Sequence, residues 1–170
     1  MLTQRLRPED APAYRDLMLE AYTAHPDAFT SSPSERQILP LAWWEDRLST
    51  DTHANECVFG AFVASQLVGV AGLSFQTREK LCHKCTVFGM YVRPSHRGHQ
   101  LGDGLLGTVL KAARQRRGVS LAQLTVTQGN RAAVALYERH GFVTYGVEPQ
   151  AVTTPSGKVT KLHMWLPLRD

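Results

Sequence analysis

A basic, glycine-containing segment has the residue types needed to hold a phosphate group. Residues 93–102 read RPSHRGHQLG, with two arginines, two histidines and two glycines. The segment follows the β-rich run 86–92 and precedes an apolar helical repeat that begins at Leu101. The free amides and positive dipole end of a helix N-terminus attract anions, and glycine lets a ligand approach the backbone. We therefore expect phosphate or pyrophosphate binding here.

The two common nucleotide-binding loops do not match this segment. It contains neither Gly-x-x-x-x-Gly-Lys-Ser/Thr nor Gly-x-Gly-x-x-Gly, so ATP and NAD lose support as ligands. Taken alone, the segment is equally compatible with an ordinary tight turn between a strand and a helix.

A second segment lies after the next predicted strand. Residues 130–142 read NRAAVALYERHGF. Asn130 can cap a helix that Gly141 ends, and Ala133, Leu136 and Tyr137 share one face of that helix.

Together the two segments resemble the GNAT acyltransferase superfamily. Its members carry Arg/Gln-x-x-Gly-x-Gly/Ala at a pyrophosphate loop and Asn-x-x-Ala-x-x-Leu-Tyr-x-x-x-Gly-Phe further along the chain. The resemblance covers most of the chain and implies one α/β domain over residues 1–170. It also implies a mixed, mostly antiparallel central sheet, splayed between strands 4 and 5 at 86–92 and 122–126, and flanked by about four helices.

The resemblance further implies that acetyl-CoA lies in the opening of the sheet as a cosubstrate, with no metal. The backbone from Met90 to Val92 would pair with the pantetheine arm, and Asn130 would approach the pantetheine or acyl end. The complete expected set of cofactor-binding residues is Met90, Tyr91, Val92, Arg97, Gly98, His99, Gln100, Leu101, Gly102 and Asn130.

One residue departs from the family pattern. Gln100 stands where the family usually has its middle glycine. A left-handed backbone at this position would cost a glutamine about 1–2 kcal/mol, whereas a right-handed helical turn would cost almost nothing. We expect the right-handed turn and retained CoA binding.

The implied activity is an N-acetyltransferase that moves an acetyl group directly from CoA to a primary amine of a small molecule or peptide. Tyr137 would be the general acid that protonates the departing thiolate, as its phenol can donate a proton. Many relatives carry a carboxylate base on strand 4, but residues 86–90 contain none. His83, Glu35 and Glu148 remain candidates without an assignment, and a non-catalytic CoA-binding or sensing module is the alternative function.

The amine acceptor is the least defined part of the prediction. Acidic residues near the variable entrance could attract a cationic amine, and aromatic residues could form an apolar wall. These residues are Asp27, Glu35 and Glu45 for the charge, and Phe29, Trp43 and Trp44 for the wall. Polyamines, amino acids, aminoglycosides and protein N-termini all stay open.

The elements that must position these residues follow from hydrophobic periodicity and turn signals. The chain is predicted to begin with a strand at 2–6, a helix containing Tyr14 and Tyr22, a loop at 25–40 and a helix containing Trp43 and Leu48. Three strands follow, at 56–64, 67–75 and 86–92. The remaining predicted elements are a helix from Leu101 to near Gly118, a strand at 122–126, a helix after Asn130, and strands at 142–147 and 159–166.

Composition supports one globular domain. The 170 residues are 43% hydrophobic and 20% charged, with a formal net charge of +4. The chain has no dense basic run and no apolar stretch approaching 20 residues, so we expect no nucleic-acid partner, no membrane span and a cytoplasmic location.

Two further expectations concern cysteines and assembly. Cys57, Cys82 and Cys85 are expected to be reduced, and the 82–85 pair lacks the second pair that a zinc site needs. A homodimer is expected to be possible, through the C-terminal strand around Leu162 and Met164 as a sheet edge.

Overall fold

The computed structural model describes residues 2–168, whose helices and strands follow the predicted order. The elements are β1 (Leu2–Arg5), α1 (Ala11–Ala24), α2 (Pro33–Gln37), α3 (Leu41–Arg47), β2 (Glu56–Val63), β3 (Gln66–Phe75), β4 (Lys84–Val92), α4 (Leu101–Gln115), β5 (Leu121–Thr127), α5 (Arg131–Arg139), β6 (Val143–Thr154) and β7 (Gly157–Pro167).

One helix lies where the sequence predicts only a loop. The short α2 forms because Ser32 accepts a hydrogen bond from the Glu35 amide while the Glu35 carboxylate accepts one from the Ser32 amide. Pro33 at the first helical position adds the backbone angle that a helix start requires.

The strands form one sheet in the order β1-β2-β3-β4-β5-β7-β6. Neighbouring strands are antiparallel except β4 and β5, which are parallel and pair only at Lys84–Leu121, Cys85–Ala122 and Thr86–Gln123. Beyond Thr86 the two strands separate, which confirms the predicted splay. The separation leaves the β5-facing backbone groups of the second half of β4 without a partner strand.

A bulge interrupts β4 at the point where it leaves β5. Tyr91 pairs with Val70 and Phe88 with Gly72, so Gly89 and Met90 together face a single residue of β3. Gly89 has φ of 59°, a left-handed conformation that glycine adopts without strain. The bulge changes which face of the sheet the following side chains occupy.

Two apolar cores cover the two faces of the sheet. On one face, α4 packs Leu105, Leu106 and Val109 against β2, β3 and β4, and all three are fully buried. On the other face, α1 and α3 form a core in which Tyr14 and Trp44 meet edge-to-face, with ring centroids 5.6 Å apart. Each fully buried large apolar side chain contributes about 1.5–3 kcal/mol.

The C-terminal strand does not form a sheet edge, so the predicted dimer contact through Leu162 and Met164 is wrong as placed. The β6–β7 hairpin returns β7 between β5 and β6, where both of its edges are paired. Met164 is fully buried because it joins the α4 core. The edge strand at this end of the sheet is β6, which exposes Val143 and Tyr145.

Within residues 2–168, no helix is both long and apolar enough to span a membrane.

The two closely spaced cysteines face different surroundings. Cys82 is exposed and its thiol lies 3.0 Å from the Glu79 carbonyl, whereas Cys85 is buried in the α4 core.

Candidate active site

A cleft of about 480 Å³ opens where β4 and β5 separate. Nine of the ten residues expected to bind the cofactor line it, and the tenth, His99, does not. Instead, the His99 ring Nδ1 lies 3.0 Å from the Arg97 carbonyl within the same loop. The lining residues outside the expected cofactor-binding set are His25, Ala28, Phe29, Asp103, Ala132, Ala133, Leu136 and Arg139.

The loop before α4 adopts two left-handed residues. Gly98 has φ of 81° and Gln100, the N-cap of α4, has φ of 58° and ψ of 16°. The expectation of a right-handed Gln100 is therefore wrong. The Gln100 carbonyl accepts the first helical hydrogen bond, from the Gly104 amide at 3.0 Å, so this residue turns the chain sharply into α4. The cost of a left-handed non-glycine residue is about 1–2 kcal/mol.

Arg97 spans the cleft entrance. Its Nε donates to the Val92 carbonyl at 2.9 Å, and its Nη2 lies 3.1 Å from Nε2 of His25 at the end of α1. The guanidinium also lies 5.8 Å from the centroid of the Tyr91 ring. A fixed positive charge thus stands beside the free amides at the start of α4, an arrangement suited to a diphosphate.

Tyr91 lines the cleft and is bonded through its hydroxyl to α1. Its hydroxyl donates to Glu20 at 3.0 Å, and the same carboxylate accepts from Nε of Arg93 at 2.9 Å. Burial, together with the charge of Glu20, raises the pKa of Tyr91. This network fixes the end of β4 against α1 just before the glycine loop.

Asn130 caps α5 and also lies at the cleft. Its side-chain oxygen accepts a hydrogen bond from the Ala133 amide at 3.3 Å, which caps α5, and the residue also lines the cleft. The next turn of α5 contributes Ala133 and Leu136 to the wall. These residues follow from the predicted apolar face of the helix, although sequence alone does not say which cavity that face meets.

Tyr137 lies on the buried side of α5. It is not among the residues that line the cleft, and its ring packs edge-to-face on Phe142 with centroids 5.9 Å apart. Burial raises the pKa of Tyr137 to about 12, so its hydroxyl keeps its proton at neutral pH.

A charged cluster closes the α4 side of the cleft. Asp103 accepts from Arg139 at 3.0 Å and lies 3.3 Å from Nε2 of His140. Burial alone would raise the pKa of Asp103, but the hydrogen bonds and charges of Arg139 and His140 lower it overall. The carboxylate at the start of α4 is therefore balanced by neighbouring donors.

A second cavity, of about 320 Å³, lies beside β4 among residues of α1 and α3, and it is called the acceptor cavity below after the amine acceptor that the sequence predicts. Gly89 lines this cavity and the adjacent Met90 lines the cleft, while Phe29 lines both. The two spaces therefore lie next to each other at the bulge of β4. The acceptor cavity is lined by Tyr22, Phe29, Thr30, Ser31, Arg36, Arg47, Glu56, Ser74, Thr86, Phe88 and Gly89.

The acidic residues predicted near the entrance do not line the acceptor cavity. Asp27 accepts a hydrogen bond from Ser156 at 3.2 Å on the β6–β7 side, and Glu35 caps α2. Glu45 is likewise absent from the lining. Of the aromatic residues expected to form the wall, Phe29 lines the cavity, while Trp44 is fully buried in the α1 core.

The three candidate bases also lie elsewhere. The His83 carbonyl accepts from the Ser120 amide where β4 and β5 are still close, and Glu148 lies 2.6 Å from Nε2 of His163 on the β6–β7 hairpin. Glu35 belongs to the cap of α2. The carboxylate that does line the acceptor cavity is Glu56, at the start of β2, where sequence reasoning saw only the first residue of a strand.

The loop between α1 and α2 is hydrogen-bonded to the β5–β7 part of the sheet. Lys161 on β7 is buried and donates to the Thr127 hydroxyl at 2.8 Å and to the Ala28 carbonyl at 3.4 Å. Burial lowers the pKa of Lys161, and the charge of Asp27 opposes that effect. These bonds hold the loop that carries Ala28, which lines the cleft, and Phe29, which lines both cavities.

The fold and the cleft define a class of protein in which an α/β sheet opens between two parallel strands and a cleft with arginines and a helix N-terminus lies beside a second cavity. Residues 12–142 match the acetyltransferase (GNAT) family, and the chain belongs to this family. The resemblance seen in residues 93–102 and 130–142 is thereby confirmed.

Curated relatives are similar over part of their length. A mycothiol acetyltransferase of Streptomyces scabiei is 32% identical over 137 residues, which is 81% of this chain and 41% of the relative. The [ribosomal protein bS18]-alanine N-acetyltransferase of Escherichia coli is 30% identical over 95 residues, 56% of this chain and 64% of the relative. The chain thus spans about two fifths of the mycothiol acetyltransferase it matches.

Solved structures confirm the fold. A GNAT-family acetyltransferase from Streptococcus pneumoniae superposes with a TM-score of 0.89 at 22% identity, covering 98% of each chain. The yncA protein of Salmonella typhimurium, whose structure was determined with its cofactor acetyl-CoA, has a TM-score of 0.82 at 21% identity and covers 100% of this chain and 95% of that chain.

Proposed function

We propose that the protein is an acetyl-CoA-dependent N-acetyltransferase that transfers an acetyl group directly to a primary amine. The observation that carries this proposal is that consecutive residues of β4 line the two cavities, Gly89 the acceptor cavity and Met90 the cleft. A thioester entering along β4 and an amine entering from the acceptor cavity would meet there. Binding both reactants side by side removes much of the entropic barrier to transfer.

The residues of the cleft fit acetyl-CoA. The α4 amides, Arg97 and Arg139 offer positive charge to a diphosphate. The unpaired edge of β4 offers backbone donors and acceptors to the two amides of the pantetheine arm, in the manner of an added strand. Ala133 and Leu136 supply an apolar wall.

In the proposed transfer, the amine nitrogen attacks the thioester carbonyl carbon, and the carbon–nitrogen bond forms as the carbon–sulfur bond breaks. The electron pair of the broken bond stays on sulfur, and Tyr137 donates a proton to it. An ammonium group sheds two protons in becoming an amide. We assign the first proton to the Glu56 carboxylate, to which it passes through water. The second proton goes to the Tyr137 oxygen and replaces the proton that Tyr137 gave to the sulfur.

The alternative is a CoA-binding module without catalysis. Two observations favour it: β4 carries no carboxylate, and Tyr137 is not among the residues lining the cleft. Both functions require CoA binding, so only acetyl transfer separates them.

The test combines calorimetric binding with an acetylation assay. Acetyl-CoA and CoA are expected to bind saturably, and ATP is expected to bind much more weakly. In the acetylation assay, release of the CoA thiol is expected to depend on an added primary amine. The acetylated product is identified by mass spectrometry. Arg97→Gln is expected to weaken acetyl-CoA binding about tenfold, as lost charge-assisted hydrogen bonds do, whereas Arg117→Gln, at an exposed site beyond α4, serves as the matched control. Binding without transfer to any amine would favour the non-catalytic module, and no CoA binding would overturn both functions.

A further inference from the structure

The acceptor cavity is aromatic on several sides. Tyr22 and Phe29 meet edge-to-face with ring centroids 5.4 Å apart, and Phe88 of β4 also lines the cavity. Such rings form a wall for an apolar group of modest size, and a cavity of about 320 Å³ has room for a small molecule.

Two arginines are held at this cavity by one indole ring. The guanidinium carbons of Arg36 and Arg47 lie 4.6 and 4.9 Å from the centroid of the Trp43 ring, and that of Arg47 also lies 4.7 Å from the centroid of Phe88. Stacking on aromatic faces orients a guanidinium while leaving its in-plane N–H groups free to bind other groups. Trp43 therefore positions two cationic donors beside the aromatic wall.

The two arginines differ in how their charge is balanced. Nε of Arg47 donates to the Glu56 carboxylate at 2.9 Å, so these two lining charges cancel. Nη2 of Arg36 donates to the Ser31 hydroxyl at 2.8 Å, and no carboxylate of residues 2–168 lies within ion-pair distance of Arg36. The cavity thus retains one net positive charge on a half-buried guanidinium.

The charges also act on the neighbouring phenol. Burial raises the pKa of Tyr22, and the positive charges of Arg36 and Arg47 oppose that effect. The same positive potential disfavours an acceptor that carries several ammonium groups and favours one that also carries an anion.

We propose that the acceptor is an amine that also bears a carboxylate, of the class of α-amino acids with an apolar side chain. Its carboxylate pairs with Arg36, its side chain lies against Tyr22, Phe29 and Phe88, and its amine reaches the bulge at Gly89. A planar guanidinium can bind a carboxylate through two parallel hydrogen bonds. This inference rests on the proposed acetyl transfer and names the substrate class for it.

The experiment compares matched acceptors. L-Phenylalanine, L-leucine and L-methionine are assayed against the corresponding decarboxylated amines. They are also assayed against the amino acid amides, in which a neutral carboxamide replaces the carboxylate. We expect kcat/KM to be about 10- to 100-fold higher for the amino acids, since hydrogen bonds to charged groups contribute about 1.5–3 kcal/mol. Arg36→Gln is expected to remove that preference, so that kcat/KM for the amino acids falls to that for the corresponding amines, whereas Arg117→Gln is expected to keep it.

A binding measurement separates this inference from the function on which it rests. Calorimetric titration of the CoA-saturated protein with L-phenylalanine is expected to show binding that Arg36→Gln weakens about tenfold or more. Acetylation of amines and amides as fast as amino acids, with no effect of Arg36→Gln, would overturn the substrate class and leave the transferase intact. Amino acid binding that depends on Arg36, with no transfer to any acceptor, would instead overturn the transferase.

Discussion

At the scale of single residues, the surroundings of Tyr137 decide what its phenol can do. The side chain is buried beside Phe142, and burial raises its pKa to about 12. The hydroxyl therefore remains protonated up to about pH 11, and its ionisation does not limit a reaction run between pH 7 and 10. The sequence motif predicts which residue occupies this position, whereas the pKa depends on the packing around it.

Replacing Tyr137 by Phe tests its role as the acid. The variant keeps the ring that packs on Phe142, so we expect kcat to fall at least tenfold while the affinity for acetyl-CoA, measured by calorimetry, changes less than twofold. Glu56→Gln is the companion variant, and its loss of rate is expected to diminish as pH rises and more of the amine is already neutral. A loss in Glu56→Gln that is equal at every pH, or a loss of acetyl-CoA affinity in Tyr137→Phe as large as its loss of kcat, would point to a structural role.

At the scale of elements, the loop before α4 combines a favourable site with a strained backbone. The helix start offers free amides, but Gln100 occupies the left-handed conformation that turns the chain into α4. Strain of this kind persists where the surrounding structure holds it, and such positions cluster at ligand-binding sites.

Gln100→Gly relieves this strain. Removal of a left-handed penalty of about 1–2 kcal/mol, less the larger chain entropy of glycine, is expected to raise the free energy of unfolding by about 0.5–1 kcal/mol in urea denaturation. Gly98→Ala is the reciprocal control, because Gly98 has φ of 81° and nothing lies within 4 Å of an added Cβ. Gly98→Ala is expected to lower the free energy of unfolding. An increase would show that the loop does not keep residues 98 and 100 in the left-handed conformation.

At the scale of the whole molecule, the sheet consists of two parts, β1–β4 and β5–β7, that are joined by a short stretch of strand pairing. β4 and β5 pair at only three positions, and Lys161 adds a tie from β7 to the loop after α1. A ligand that fills the cleft would join the two parts.

We therefore expect CoA to stabilise the protein and to act where the two parts of the sheet join. At a concentration 100 times its dissociation constant, CoA should raise the free energy of unfolding by about 2.7 kcal/mol, as measured by thermal denaturation. Amide hydrogen exchange should slow over residues 87–92 and at the start of α4. Stabilisation with protection confined to other elements would place the ligand outside the cleft.

The sequence by itself determined the order of elements, the glycine loop and the capped helix α5, because helix caps, turns and hydrophobic periods are interactions between residues close in the chain. Only the tertiary structure decided where distant segments meet. It brought Phe29 to the lining of both cavities and placed β7 inside the sheet. It also put Arg36, Arg47 and Glu56 at the acceptor cavity, and not the three acidic residues predicted there. These features depend on packing between residues far apart in sequence, which local patterns do not encode.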